Sequence, residues 1–189
     1  MVRDGWYLVV GRWKGAPVRV HLLAPLFALL WPGRPISLGS MLGFLLVVLV
    51  HEFGHAVLVR LCGAHVYRID LLPYGGECEH SPTNSELKDS FIAWGGVLGQ
   101  FALMIPAQIM IKSGPPAYLG DFLWALTGAS FFMAGFNLLP IPPLDGAKAW
   151  KLLWLVPAWG FKQFQRWRRR RILRSVPPPP APPKKEWLN

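Results

Sequence analysis

An ionisable motif follows directly on a long apolar run, and this combination limits what the chain can fold into. Residues 41–50 are all apolar or glycine, and His-Glu-Phe-Gly-His occupies positions 51–55. In a helix, His51 and His55 lie on one face, one turn apart, where both imidazoles can bind one metal ion. Glu52 beside them can act as a general base. The motif also occurs by chance in soluble helices, but ionisable groups at bilayer depth are costly unless they serve a function.

The composition and the distribution of charge indicate a membrane protein. Hydrophobic residues make up 52% of the chain and charged residues 16%, against about 25% charged residues in a soluble domain. The net charge of +10 by itself would suit a nucleic-acid partner. However, of the 20 lysines and arginines, nine lie between positions 162 and 185 and four precede position 20. Basic ends around an apolar middle follow the positive-inside rule and argue against nucleic acid.

Four apolar segments are candidates for crossing the bilayer, which takes about 20 helical residues. They are residues 18–31, 36–60, 91–111 and 117–139. The first is short and carries Arg19 and Pro25. We therefore predict an all-α polytopic membrane protein with about four transmembrane helices. With four crossings, the basic ends place both termini in the cytoplasm.

The segment between the second and third spans has the patterns of strands and a turn. Residues 66–72 partly alternate between apolar and polar side chains, and Pro-Tyr-Gly-Gly follows at 73–76. Residues 77–81 can return as a second strand. Backbone of this kind at membrane depth needs protein or a watery cavity to satisfy its hydrogen bonds. We predict a small membrane-associated β-hairpin.

Three domains follow from these patterns. They are a basic interfacial arm at 1–17, a membrane-embedded domain at 18–161, and a basic, proline-rich cytoplasmic tail at 162–189. Within the second domain, residues 147–161 are predicted to form a C-terminal interfacial helix, because Lys148 and Lys151 disfavour a full crossing.

A metal site needs more than two histidines. A catalytic zinc usually takes three protein ligands and leaves a fourth position for water. Asp145 is the best candidate for the third ligand, because it follows a proline-rich break after the last span, at a depth similar to that of His51 and His55. The alternative is that Asp145 only forms a turn with Gly146, the commoner role of an Asp-Gly pair.

Two motifs together resemble the site-2 protease family of intramembrane zinc metalloproteases. The first is the one at 51–55, and the second is Asn-Leu-Leu-Pro-Ile-Pro-Pro-Leu-Asp-Gly at 137–146. The second fits the family form N-x-x-P-x-P-x-x-D-G at every fixed position. The similarity covers roughly residues 18–150. It implies that the domain at 18–161 is a metalloprotease domain of a compact form, in which we expect no PDZ or CBS domain.

The resemblance implies one Zn²⁺ per chain, bound by His51, His55 and Asp145, with Glu52 as the catalytic base. It also implies roles in substrate binding: Asn137 would hold the substrate backbone or the developing oxyanion. The hairpin around Gly75 and Gly76 would offer an edge strand to an unwound substrate, which would pair with it as an added strand. Gln100 stands where the family often has asparagine, so no role is carried onto it.

The implied reaction is hydrolysis of a peptide bond within or near a transmembrane segment of a membrane-anchored, regulatory protein. Two alternatives stay open: a catalytically silent zinc-binding adaptor, against which the intact Glu52 argues, and a membrane metallohydrolase with a non-peptide substrate. The expected partners are a transmembrane protein substrate and membrane lipid. A homo-oligomer and a regulatory membrane partner stay open as further alternatives. The expected location is a bacterial or archaeal cell membrane.

Overall fold

The computed structural model describes residues 3–25 and 37–175. The strands are β1 (Arg3–Asp4), β2 (Tyr7–Trp13), β3 (Ala16–His21), β4 (Val66–Leu72) and β5 (Gly75–His80). The helices are α1 (Leu38–Leu61), α2 (Glu86–Lys112), α3 (Ala117–Asn137), α4 (Gly146–Ala149) and α5 (Leu152–Ser175). Helix α3 begins with a 3₁₀ turn and contains a π-helical segment at Ala125–Ala129.

Three helices in the described part of the chain, α1, α2 and α3, are long and apolar enough to cross a membrane. They coincide with the expected spans at 36–60, 91–111 and 117–139. The expected helix at 18–31 is wrong at its beginning, because Ala16–His21 is a strand. Its residues 26–31 lie outside the described residues. The described residues therefore support three candidate spans, and the count of four is not confirmed.

Helix α1 has well-defined ends. Ser37 caps the amino end through a reciprocal pair of hydrogen bonds with Ser40, which satisfies backbone groups that the first turn leaves unpaired. The carboxyl end is followed by Gly63, whose φ of +80° favours glycine. Between these ends the helix buries apolar side chains such as Val47 and Val59 together with His51.

Glycines bring α1 and α2 into backbone contact. A Cβ added at Gly95 would lie 2.5 Å from the carbonyl oxygen of Gly54, and one at Gly99 would lie 2.6 Å from that of Val50. Only residues without side chains permit this approach, which resembles the small-residue packing common between membrane helices. The crossing fixes α2 beside the half of α1 that carries the histidines.

The strands form one sheet in the order β1-β2-β3-β4-β5. The predicted hairpin is present as the antiparallel pair β4–β5, but it is part of a larger sheet. The all-α class is therefore not confirmed: the chain is mostly helical and has a five-stranded sheet. Strand β3 pairs in parallel with β4, and the connection between them contains α1. Much of the expected interfacial arm at 1–17 thus lies in strands; its position at a membrane interface stays a prediction.

The parallel pair is held by an ion pair and by packing on α1. The Arg19 guanidinium donates to the buried Asp70 carboxylate, with Nε 2.7 Å from Oδ1. Val18 and Ile69, from the two strands, pack against Ala56 of α1. These contacts place the sheet against the helix that carries the His-Glu-Phe-Gly-His motif.

The carboxyl-terminal part of the chain contains α4 and α5. The chain divides into two compact units, with the boundary between Leu152 and Leu153. All of the expected site residues belong to the first unit. The expected interfacial helix at 147–161 corresponds to α4 and the first part of α5, and α5 continues to Ser175, past the expected start of the tail at 162.

Candidate metal centre

Three side-chain atoms that can bind a metal ion converge where the second half of α1 meets the loop after α3. Nε2 of His51 and Nε2 of His55 each lie 3.1 Å from Oδ2 of Asp145. The two Nε2 atoms also lie 3.1 Å from each other. Both histidines are buried, and the Asp145 side chain is 25% exposed. Among the described residues, these three form a group that could hold a metal ion.

The triangle fits a tetrahedral zinc site. With zinc–ligand bonds of 2.0 to 2.1 Å, neighbouring ligand atoms in a tetrahedron lie about 3.3 to 3.4 Å apart. The observed separations of 3.1 Å are within a few tenths of an ångström of that value. Oxygen and nitrogen lone pairs facing one point repel one another, so a cation between them satisfies all three. The residues present therefore fit the group that the motifs imply.

The orientation of His55 is set by α2. Nδ1 of His55 lies 2.8 Å from the carbonyl oxygen of Ile92. A carbonyl can only accept, so Nδ1 carries the proton and Nε2 presents its lone pair to the centre. A hydrogen bond of this kind is the usual support of a metal-binding histidine.

The position of His51 depends on a glycine. A Cβ added at Gly96 of α2 would overlap the His51 imidazole, including Cε1 and Nε2. The ring therefore lies directly on the backbone of α2, and any side chain at position 96 would displace it. The two histidines come from one helix, but both are held in place by its neighbour.

Asp145 reaches the centre on a loop that follows α3. A Cβ at the adjacent Gly146 would overlap the carbonyl oxygens of Leu138 and Leu139, so the loop folds back closely on the end of α3. The Trp150 indole Nε1 donates to the Leu138 carbonyl oxygen at 2.6 Å, which closes the same loop. These contacts fix the backbone on both sides of the carboxylate.

The loop is also attached to α2. Trp94 Nε1 donates to the carbonyl oxygen of Ala149 at 3.0 Å, and Ser90 Oγ donates to that of Lys148 at 2.7 Å. Burial raises the pKa of the Asp145 carboxyl, but without a metal ion the hydrogen bonds and positive charge of protonated His51 and His55 outweigh burial and hold the pKa well below its usual range. The carboxyl is therefore an anion at neutral pH, the form that binds cations.

Glu52 lies beside the three atoms and faces the sheet. Its side chain is 4% exposed. A Cβ added at Gly76 of β5 would overlap Glu52 Cγ and Oε1, so the beginning of that strand packs directly on the carboxylate. Glu52, the two histidines and Asp145 all line one cavity of about 750 Å³.

Asn137 and the two glycines of the hairpin line the same cavity. Asn137, the last residue of α3, has Nδ2 3.4 Å from Nε2 of His51. Gly75 begins β5 with a φ of +150°, a backbone conformation that favours glycine. The structure thus brings together every residue that the sequence singled out: His51, Glu52, His55, Gly75, Gly76, Asn137 and Asp145.

The similarity to known proteins agrees with this site. No family model matches the chain. A zinc metalloprotease of Methanocaldococcus jannaschii is 29% identical over 143 residues, which cover 71% of this chain and 41% of that protein. Stage IV sporulation protein FB of Bacillus subtilis is 34% identical over 116 residues, or 60% of this chain and 40% of that protein. The chain thus spans about two fifths of the length of these curated relatives.

A solved structure shares the fold. The site-2 protease from Methanocaldococcus jannaschii aligns with a TM-score of 0.59 and 22% identity, over 78% of this chain and 71% of that one. The chain is similar to zinc metalloproteases of the site-2 protease family in sequence and in fold. The resemblance that the two motifs suggested is therefore confirmed.

Several residues that position the site in this chain were not predicted from the sequence. They are Ile92, whose carbonyl oxygen orients His55, and Trp94, Gly96, Leu138 and Trp150, which hold His51 or the Asp145 loop. The pair Gly95-Gly96 was a usable indication of close helix packing. Nothing in the sequence indicates which carbonyl oxygen an imidazole or an indole will contact.

Proposed function

We propose that this protein is an intramembrane zinc endopeptidase that hydrolyses a peptide bond within or near a transmembrane segment of a membrane-anchored regulatory protein. The observation that carries the proposal is the convergence of His51, His55 and Asp145 within 3.1 Å of one another, in the cavity that Glu52 also lines. That cavity lies beside candidate membrane spans, so it is suited to a substrate from the bilayer.

In the proposed reaction, His51, His55 and Asp145 would hold the zinc ion. When bound there, zinc would supply a Lewis acid and would lower the pKa of a water molecule to about 7. Glu52 accepts the proton of the attacking water and passes it to the leaving amine. Its burial beside Gly76 keeps bulk water away from that proton. Asn137, close to His51, donates from Nδ2 to the substrate carbonyl oxygen as negative charge develops there.

The substrate is proposed to bind as an additional strand. Among the described strands, β5 pairs only with β4, so it is an edge of the sheet. Its first residues, Gly75 and Gly76, line the cavity next to Glu52. An extended peptide that pairs with this edge would bring its backbone to the carboxylate without a side chain in the way. A transmembrane helix must unwind locally before it can do so, because its carbonyls are otherwise hydrogen-bonded.

The last helix is proposed to lie at an anionic membrane surface on the cytoplasmic side, with both termini on that side. Its exposed aromatic residues Phe161, Phe164 and Trp167 recur at helical spacing. The Arg171 guanidinium lies 4.6 Å from the centre of the Trp167 ring. The remaining basic residues of this stretch are Lys162, Arg166, Arg168, Arg169, Arg170 and Arg174. Aromatic residues among closely spaced arginines are typical of helices that bind anionic lipid headgroups.

The test is cleavage of transmembrane peptides by the purified chain in lipid. We expect the native protein with zinc to cleave at least one member of a panel of such peptides, and Glu52→Gln to be at least about 100-fold slower while it keeps its zinc. Glu86→Gln is the matched control, because it makes the same chemical change at an exposed residue outside the cavity, and it should leave the rate unchanged.

The alternatives predict other results. A silent adaptor would bind zinc and cleave nothing, with no difference between the native chain and Glu52→Gln. A metallohydrolase for small molecules would leave every peptide intact and hydrolyse a lipid or other ester in a reaction that depends on Glu52. Either result contradicts the proposed peptidase.

A further inference from the structure

Two buried polar side chains, His51 on α1 and Gln100 on α2, have atoms without partners. Nδ1 of His51 and both amide atoms of Gln100 make no hydrogen bond within the described residues. His51 is 2% exposed and Gln100 is 1% exposed. Buried polar groups are nearly always hydrogen-bonded, so such atoms call for an explanation.

The helix geometry directs the Gln100 side chain toward the turn that carries Gly96, which the His51 ring contacts. Gln100 follows Gly96 by four residues on α2, so both lie on one face of that helix. Side chains on a helix lean toward its amino end and cover the turn before their own Cα. For Gln100 that turn is the one at Gly96, and the His51 imidazole lies directly on Gly96. The intervening Gly99 packs on the Val50 carbonyl oxygen, which keeps this turn against α1.

The chemistry of the metal site requires an acceptor at this position. If Nε2 of His51 binds a metal ion, its Nδ1 carries the proton and needs a partner. His55 has such a partner in the carbonyl oxygen of Ile92, 2.8 Å away. His51 has none among the described residues, and the side-chain oxygen of Gln100 is a neutral acceptor on the adjacent turn.

We propose that Gln100 is the positioning residue of His51: its Oε1 accepts a hydrogen bond from Nδ1–H, directly or through one water, and so keeps Nε2 directed at the metal. This inference rests on the proposed metal site. In this arrangement α2 supplies a hydrogen-bond acceptor to the Nδ1–H of each histidine. The acceptor is the backbone carbonyl oxygen of Ile92 for His55 and the side-chain oxygen of Gln100 for His51.

The experiment measures zinc affinity of the purified full chain by competition with a chelator. Gln100→Met keeps an unbranched side chain of similar size and removes the amide, so it should weaken zinc binding by about 10- to 100-fold. Gln100→Glu keeps an acceptor oxygen and should bind zinc close to the native affinity. Substituting Co²⁺ adds a second readout, because the visible absorption of the bound ion should change in Gln100→Met and return in Gln100→Glu.

Ser130→Ala is the matched control. Ser130 is also a fully buried polar residue whose hydroxyl has no partner within the described residues, but it lies on α3. Its removal should leave zinc affinity and the Co²⁺ spectrum unchanged. If it weakens zinc binding as much as Gln100→Met, general loss of packing explains both variants and the positioning role is overturned.

The remaining outcomes separate this inference from the proposed function. If the native chain binds no zinc, both fail. If the native chain binds zinc and folded Gln100→Met binds it equally well, only the role of Gln100 fails. If Gln100→Met does not fold, Gln100→Glu decides, since a folded Gln100→Glu with weakened zinc binding contradicts the proposal and native affinity supports it.

Discussion

The two halves of the candidate metal centre are built in different ways. His51 and His55 come from one helix, where a spacing of four residues alone puts both imidazoles on one face. Asp145 comes from a loop whose position depends on contacts with the end of α3 and with α2. Ninety residues separate His55 from Asp145 along the chain, yet their ligand atoms are 3.1 Å apart.

This difference shows where each half is vulnerable. The histidine half keeps its spacing as long as α1 is helical, and only the direction of each ring depends on α2. The aspartate half depends on several contacts at once, none of them local in sequence. Substitutions near the loop should therefore move Asp145, whereas a substitution at Gly96 of α2 should turn an imidazole without moving its helix.

The largest effect is expected when a proposed ligand is removed from either half. His55→Ala and Asp145→Ala should each lower zinc affinity by more than about 100-fold, the upper range for a residue that only supports a ligand. The measurement is zinc content after dialysis against a chelator. His65→Ala, an exposed histidine outside the cavity, is the control and should keep its zinc. Full zinc content in Asp145→Ala would show that the loop half contributes no ligand.

The next largest effect should come from Gly146→Ala. The new methyl group would overlap the backbone carbonyl oxygens of Leu138 and Leu139. These two oxygens cannot move unless the end of α3 moves with them. Overpacking of this kind costs about 1 to 3 kcal/mol in the free energy of unfolding. Zinc affinity should fall too, because Asp145 is displaced. Thermal unfolding in detergent and chelator competition measure the two effects.

Gly135→Ala is the control for that substitution. Gly135 is exposed on α3 and has no neighbouring atom where a Cβ would lie, so the change should be neutral or stabilise the helix by about 0.5 to 1 kcal/mol. Equal behaviour of the two alanine variants would mean that the close contact at Gly146 does not hold the loop.

A smaller effect is expected from Gly96→Ala on the histidine half. The methyl group would overlap the His51 ring, but a side chain can turn away where a backbone cannot. We expect zinc affinity to fall by about tenfold, the lower end of the range for a supporting residue, with a smaller loss of stability than for Gly146→Ala. Gly120→Ala, at a position with open space, should change neither quantity. A greater loss of stability at position 96 than at 146 would reverse the comparison.

The smallest effect should come from Trp150→Phe. It removes the indole donor to the Leu138 carbonyl oxygen and keeps most of the aromatic ring. A single hydrogen bond contributes about 0.5 to 1.5 kcal/mol to the free energy of unfolding, and the other loop contacts remain. Trp154→Phe, at a residue 58% exposed, is the control and should leave stability unchanged. No difference between the two variants would show that this bond does not help to hold the Asp145 loop.

The sheet repeats the same contrast between local and distant contacts. The pair β4–β5 was predicted because Pro-Tyr-Gly-Gly joins its strands directly. The parallel pair β3–β4 was not predicted, since its Arg19–Asp70 ion pair joins residues 51 positions apart. A parallel pair needs a long crossover connection, and here the connection contains α1. The short apolar stretch from residue 18 was therefore taken for the beginning of a helix.

The sequence by itself determined the features that depend on local spacing: the apolar helices, the two histidines on one face, the hairpin, and the two motifs that mark the family. Only the tertiary structure decided that Asp145 meets His51 and His55, that β5 packs on Glu52, and that the amino-terminal strands complete the sheet. The physical reason is that periodicity and turn chemistry act over a few residues. A ligand triangle or a parallel pair depends on how whole elements pack, and no short pattern specifies that.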